Sequence, residues 1–82
     1  MNLYVSNIDY SLQDEALKKL FTDYGRVSSA KVILDRETGK SRGFGFVEMP
    51  DANEAAKAIA ALNGTMKEGK SIKVVEARPK SF

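Results

Sequence analysis

Apolar and polar positions along this chain switch between a two-residue and a 3.6-residue period, and each switch marks a new element. Residues Asn2 to Ile8 alternate, with Leu3 and Val5 on one side and Asn2, Tyr4 and Ser6 on the other, which predicts a strand. Ser11-Leu12-Gln13-Asp14 reads as an N-cap and first turn. Leu12, Ala16, Leu17, Leu20, Phe21 and Tyr24 then recur at helical spacing up to Gly25, the expected left-handed stop, so a helix is predicted over 11–25 with Phe21 and Tyr24 on its buried stripe. Val27 to Leu34 is β-branched and aliphatic enough for a second strand, with Ala30, Val32 and Leu34 inward and Lys31 and Ile33 outward. The polar run Asp35 to Ser41 predicts a loop into a third strand that Pro50 ends. Asp51-Ala52-Asn53-Glu54 is a capping box for a helix over 51–62, whose buried stripe reads Ala52, Ala55, Ala56, Ile59 and Leu62, and Asn63-Gly64 closes it. A short ribbon and turn over Thr65 to Lys70 leads to a last strand, Ser71 to Glu76, with Ile72 and Val74 inward and Lys73 and Val75 outward.

The order strand, helix, strand, strand, helix, strand predicts an α+β fold, the ferredoxin-like βαββαβ sandwich: a four-stranded antiparallel sheet with two helices on one face. Within it the third strand is inverted. Arg42, Phe44, Phe46 and Glu48 share one side, while Gly43, Gly45, Val47 and Met49 share the other, which is the core side. Two phenylalanines are thereby left on an open sheet surface, a costly choice unless something planar lies on them. The competing reading of a Phe-x-Phe pair is a central strand buried on both sides. A nucleobase is the most economical planar partner, because aromatic rings beside a guanidinium can stack the base and hold the adjoining phosphate, at about 1–3 kcal/mol per base.

Composition narrows the chemistry. The 82 residues have room for one small domain, and 43% apolar with 29% charged is an ordinary globular balance. Without cysteine or histidine the chain lacks thiolate metal sites, disulfides and the commonest general base, so neither metal nor cofactor is expected, nor a small-molecule substrate. The apolar runs are far below the ~20 residues that span a bilayer, and the sequence opens on a strand pattern rather than a signal peptide, so no membrane partner is expected and the default compartment is the cytoplasm. The net charge of +2 is unevenly spread: the two helical stretches carry −2 and the remainder +4, which makes the open sheet face and its loops the positive side.

The octet Arg42-Gly43-Phe44-Gly45-Phe46-Val47-Glu48-Met49 fits the RNP1 pattern of the RNA recognition motif at seven positions, with Met49 in place of the final aromatic. Leu3-Tyr4-Val5-Ser6-Asn7-Ile8 fits the companion RNP2 pattern. On these two motifs the chain resembles that family from Asn2 to about Lys80, in particular its short single-motif members from bacteria, cyanobacteria and plant organelles. The resemblance implies a domain over 1–80 with a short tail at 81–82, and a single-stranded RNA-binding role, as a post-transcriptional regulator or RNA chaperone, with single-stranded DNA bound more weakly. It implies that Tyr4 and Phe44 each stack one base, that Phe46 packs against sugars or a base, and that Arg42 pairs with a phosphate; Lys31, Lys73, Arg78 and Lys80 would add phosphate or base-edge contacts. A monomer is expected. Arg36 and Lys40 in the loop are open between a phosphate clamp and solvated charges.

Rival functions on the same fold fit poorly. An enzyme similar to acylphosphatase needs an arginine in the loop after the first strand, and Asn7-Ile8-Asp9-Tyr10-Ser11 has none. Protein-binding variants like the splicing-factor homology type carry Arg-x-Phe after the second helix, where Asn63-Gly64-Thr65-Met66 stands. Metal chaperones of this fold need Cys-x-x-Cys, which a chain without cysteine excludes. No catalytic role is therefore expected.

Overall fold

Alternating Leu3 and Val5 build β1, Asn2–Ser6, at the middle of the sheet, and in the computed structural model, which describes residues 1–67 and 69–77, both are fully buried. The chain continues through α1 (Asp14–Thr22), β2 (Ser29–Leu34), β3 (Ser41–Glu48), α2 (Ala52–Leu62), a two-stranded ribbon of β4 (Met66–Lys67) and β5 (Lys70–Ser71), and β6 (Lys73–Ala77). The main sheet has the order β2-β3-β1-β6 and every pairing is antiparallel. This is the ferredoxin-like sandwich that the element order predicts. The core lies between the sheet and the helices, where Leu17 and Phe21 of α1 and Ala55, Ala58 and Leu62 of α2 meet Leu3, Val5, Val32, Val47 and Val74. Met49 is fully buried, so the departure from the RNP1 pattern affects packing and not the open face.

Local chemistry moves several boundaries. α1 starts at Asp14 and not at Ser11: the Ser11 hydroxyl and amide both donate to the Asp9 carboxylate in the turn before the helix, and Gln13 holds the N-cap position without a side-chain bond. Asp14 Oδ1 accepts instead from the Val32 amide at 2.7 Å, tying the start of α1 to the edge strand. Gly25 has φ +159°, close to extended, and is not a left-handed stop; what its lack of a Cβ provides is room, since a Cβ there would stand 2.5 Å from Glu54 Cβ. In α2 half of the predicted capping box forms: the Asp51 carboxylate accepts from the Asn53 and Glu54 amides at 2.8 and 3.0 Å, but the Glu54 carboxylate accepts from the Arg26 amide at 3.2 Å instead of reaching back to Asp51. The stripe is shifted: Ala58 is buried, whereas Ala52 and Ala56 are exposed, as is Ala16 in α1.

The strands also differ in detail. β1 stops at Ser6 because Asn7 adopts φ +58°, a conformation asparagine tolerates better than most residues. Leu34, expected inward, is 55% exposed at the end of β2, beyond the point where the β2–β3 register shifts between Val32, opposite Gly45, and Leu34, opposite Ser41. Gly43 lies in this irregularity with φ +83°, the left-handed geometry that a bulge of this kind asks of glycine. Ser71 belongs to the ribbon and not to the last strand.

Candidate nucleic-acid interface

The register of the two central strands fixes what the open face carries. Tyr4 stands opposite Phe46, and Ser6 opposite Phe44, so three rings from β1 and β3 fall together on the side away from the helices. Their centroids lie 5.6 Å apart for Tyr4–Phe44, 5.4 Å for Tyr4–Phe46 and 6.4 Å for Phe44–Phe46, the last pair edge to face. Tyr4 and Phe44 are half-buried and Phe46 is 40% exposed, while their strand neighbours Leu3, Val5, Gly45 and Val47 are buried. The alternative of a two-sided buried strand is thus removed by the side-chain positions themselves. Gly45 explains why the pattern is inverted: a Cβ there would stand 2.5 Å from the Lys31 carbonyl oxygen and 3.0 Å from Leu17 Cδ2, so the glycine lets β2 and α1 close on the back of the aromatic strand.

The basic residues frame this platform. Lys31 is exposed directly across from Phe46, Lys73 is exposed across from Ser6 on the other flank, and Arg42 is exposed two residues before Phe44. Val75, 49% exposed, lies opposite Tyr4 and extends the apolar row Phe46, Tyr4, Val75 across three strands. The face is not uniformly positive, for Glu48 sits at its far end with its carboxylate accepting from the Ser28 hydroxyl at 2.7 Å. Arg78 and Lys80 lie outside the described residues. Arg36 and Lys40 are exposed in the β2–β3 loop, which Asp35 organises by accepting from the Glu37 and Thr38 amides at 2.8 and 3.2 Å; these bonds, with the Arg42 charge behind them, hold its carboxyl below the usual carboxylate range. Among the described residues no group of three His, Cys, Asp or Glu side chains could hold a metal ion, and no helix is long and apolar enough to cross a membrane.

A family model of the RNA recognition motif matches residues 3–73, from the first strand of the sheet into the last. The chain belongs to this family. Among curated relatives, the chloroplastic RNA-binding protein CP31B of Arabidopsis thaliana is 50% identical over 72 residues, covering 88% of this chain and 25% of that protein. The chain spans between about a quarter and a third of the length of the chloroplast proteins it matches. The crystal structure of an RNA-binding protein, PG1, is 51% identical, has a TM-score of 0.92 and is covered over 99% of its length by 98% of this chain. The RNA recognition motif of Rna15 with bound GU RNA is 27% identical with a TM-score of 0.86, over 99% of this chain and 86% of that one.

Two groups beside the platform, exposed Tyr10 and half-buried Lys70, escaped the sequence reading. Tyr10, in the β1–α1 loop, is 63% exposed, and the Lys70 ammonium lies 4.1 Å from its ring centroid. An aromatic in the polar loop Asp9-Tyr10-Ser11 was a visible signal for the first. No periodicity signals the second, which reaches Tyr10 only because the ribbon folds back: the Asn7 side-chain amide donates to the Ser71 carbonyl at 2.7 Å and ties β5 to the end of β1.

Proposed function

We propose that this domain binds single-stranded RNA by stacking unpaired bases on Tyr4, Phe44 and Phe46. The carrying observation is that these three rings, with neighbouring centroids 5.4 to 6.4 Å apart, form one surface on the sheet face opposite the helices. Tyr4 and Phe44 each take one base and Phe46 packs against a sugar or a base. Arg42, Lys31 and Lys73 pair with phosphates or base edges; Arg78 and Lys80 are assigned the same role by resemblance alone. The functional unit proposed is residues 1–80, acting as a monomer and without a catalytic step. The names of the relatives support RNA as the partner, and single-stranded DNA is the weaker ligand wherever a 2′-hydroxyl is read.

Two or three stacked bases at about 1–3 kcal/mol each, offset by ordering a flexible strand, correspond to micromolar affinity and a site of about two to four nucleotides. In the cell this suits a post-transcriptional regulator or RNA chaperone. A cytoplasmic location is part of the reading, with a plastid the alternative that the chloroplast names of the relatives suggest and fractionation would distinguish. The direct test is titration of randomised single-stranded RNA against the native domain and the Phe44→Ala, Phe46→Ala double variant. Micromolar binding lost in a variant that keeps its circular dichroism supports the reading, and equal binding by both proteins would overturn it.

A further inference from the structure

The aromatic platform does not end at Phe44. A cavity of about 250 Å³ opens at one end of the central strands β1 and β3, lined by Tyr4, Phe44 and Arg42 together with Tyr10 and Lys70. The Tyr10 ring lies against Gly43 of β3, where a Cβ would stand 3.2 Å from Tyr10 Cε1, a tight approach that the glycine relieves. The irregular register of β3 and the left-handed Gly43 therefore do more than let the strand bend: they leave a seat for a ring next to the platform. Lys70 is brought to that ring by the β4–β5 ribbon, which Asn7 fastens to the end of β1. An exposed tyrosine capped by an ammonium, sharing one cavity with two base-stacking candidates and a guanidinium, is the chemistry of a nucleotide site.

We infer that Tyr10 and Lys70 form an additional nucleotide subsite, taking the base and phosphate that follow the nucleotide stacked on Phe44 as the strand leaves the sheet. The inference rests on the stacking function proposed above and deepens it. In the free protein the ammonium covers part of the Tyr10 ring. An incoming phosphate offers Lys70 a full opposite charge, so the ammonium turns to the backbone and the ring takes the base in its place. Asp9, whose Oδ2 accepts from the Ser11 hydroxyl and amide, also feels the Lys70 charge, so the phosphate has to outcompete this carboxylate for the ammonium. The consequence is a site longer by one nucleotide than the three rings alone supply, with its far end set by a loop and a ribbon and not by the sheet.

The test compares chain lengths. RNA di- and pentanucleotides of randomised sequence are titrated by NMR against the native domain, Tyr10→Ala, Tyr10→Phe and Lys70→Ala. The pentanucleotide should bind the native domain more tightly than the dinucleotide. In Tyr10→Ala the pentanucleotide should weaken by about 5-fold to 50-fold with dinucleotide affinity unchanged; Tyr10→Phe should keep the gain and Lys70→Ala should lose part of it. Loss of dinucleotide binding in Tyr10→Ala to the same extent would mean that the ring merely supports the platform, and a length gain that survives in Tyr10→Ala would mean that the extra nucleotide sits elsewhere; either result overturns the inference. If the native domain binds neither oligonucleotide, the stacking function itself fails, and that outcome is distinct from both. Tyr10 is 63% exposed, so its variants should melt close to the native temperature.

Discussion

Two phenylalanines in this chain invite the same truncation and should give opposite results. Phe21 on α1 is fully buried, whereas Phe46 on β3 is 40% exposed. For Phe21→Ala the lost burial and the cavity left behind together cost about 3–5 kcal/mol. In a domain of this size each kcal/mol lowers the melting temperature by roughly 4–8 °C, so a fall of about 12–40 °C is expected. For Phe46→Ala, roughly 100 Å² of ring surface is withdrawn from water in the native state. At about 25 cal/mol per Å² that sets a ceiling near 2.5 kcal/mol, which the retained Cβ and a compact unfolded chain reduce to about 1–2 kcal/mol. RNA affinity should reverse the ranking. Phe46→Ala removes a stacking surface and should weaken binding by about 5-fold to 150-fold, while Phe21→Ala, measured well below its lowered melting temperature, should bind within about 2-fold of the native domain. Thermal melts by circular dichroism and anisotropy titrations of labelled single-stranded RNA read the two quantities independently. If Phe46→Ala lost as much stability as Phe21→Ala, or bound RNA as the native domain does, the division of the sheet into a core side and a nucleotide side would be wrong.

Further expectations follow from single contacts. With Arg42, Lys31 and Lys73 each at a phosphate, the logarithm of affinity should fall with the logarithm of salt concentration at a slope near −2 on single strands, and Lys31→Ala should make it shallower by about 0.7. Asp14→Ala strands the Val32 amide that its carboxylate satisfies at 2.7 Å and should cost about 1.5–3 kcal/mol in urea unfolding; a change under about 0.5 kcal/mol would mean that water replaces the bond without loss. Asp35 has its carboxyl held low in the folded state, so its contribution is complete above the ordinary carboxylate range near pH 4 and is lost as pH falls through the lower folded value. The stability gap between native protein and Asp35→Asn should therefore be widest at neutral pH and close in acid, as melts across that range would read.

What the sequence discloses follows from which forces act locally. Sidedness in β1, β3 and β6 was legible because alternate positions either meet the helices or do not, so Leu3, Val5, Val47 and Val74 declare the core and Tyr4, Phe44 and Phe46 the open face. Leu34 broke the rule because it is the last residue of β2, and period counting over Val27 to Leu34 tells which way a side chain alternates but not whether anything is left to cover it at the strand's end. Ser11 is not the cap because the chain makes a separate turn there, in which its hydroxyl donates to Asp9, and the helix begins three residues later at Asp14, whose carboxylate accepts from an amide on β2. At the interface, the glycines of the RNP1 stretch looked like one feature and are two. Gly45 is required by what lies behind the strand, the Lys31 carbonyl and Leu17, whereas Gly43 is required by its own φ of +83° and only eases the approach of what lies beside it, the ring of Tyr10. A motif read as spacing treats both as small residues on the core side. The contacts separate them: Gly45 seats the strand on the core, whereas Gly43 lets the Tyr10 loop come up beside the aromatic surface, where the proposed subsite would add one nucleotide at the loop and the ribbon.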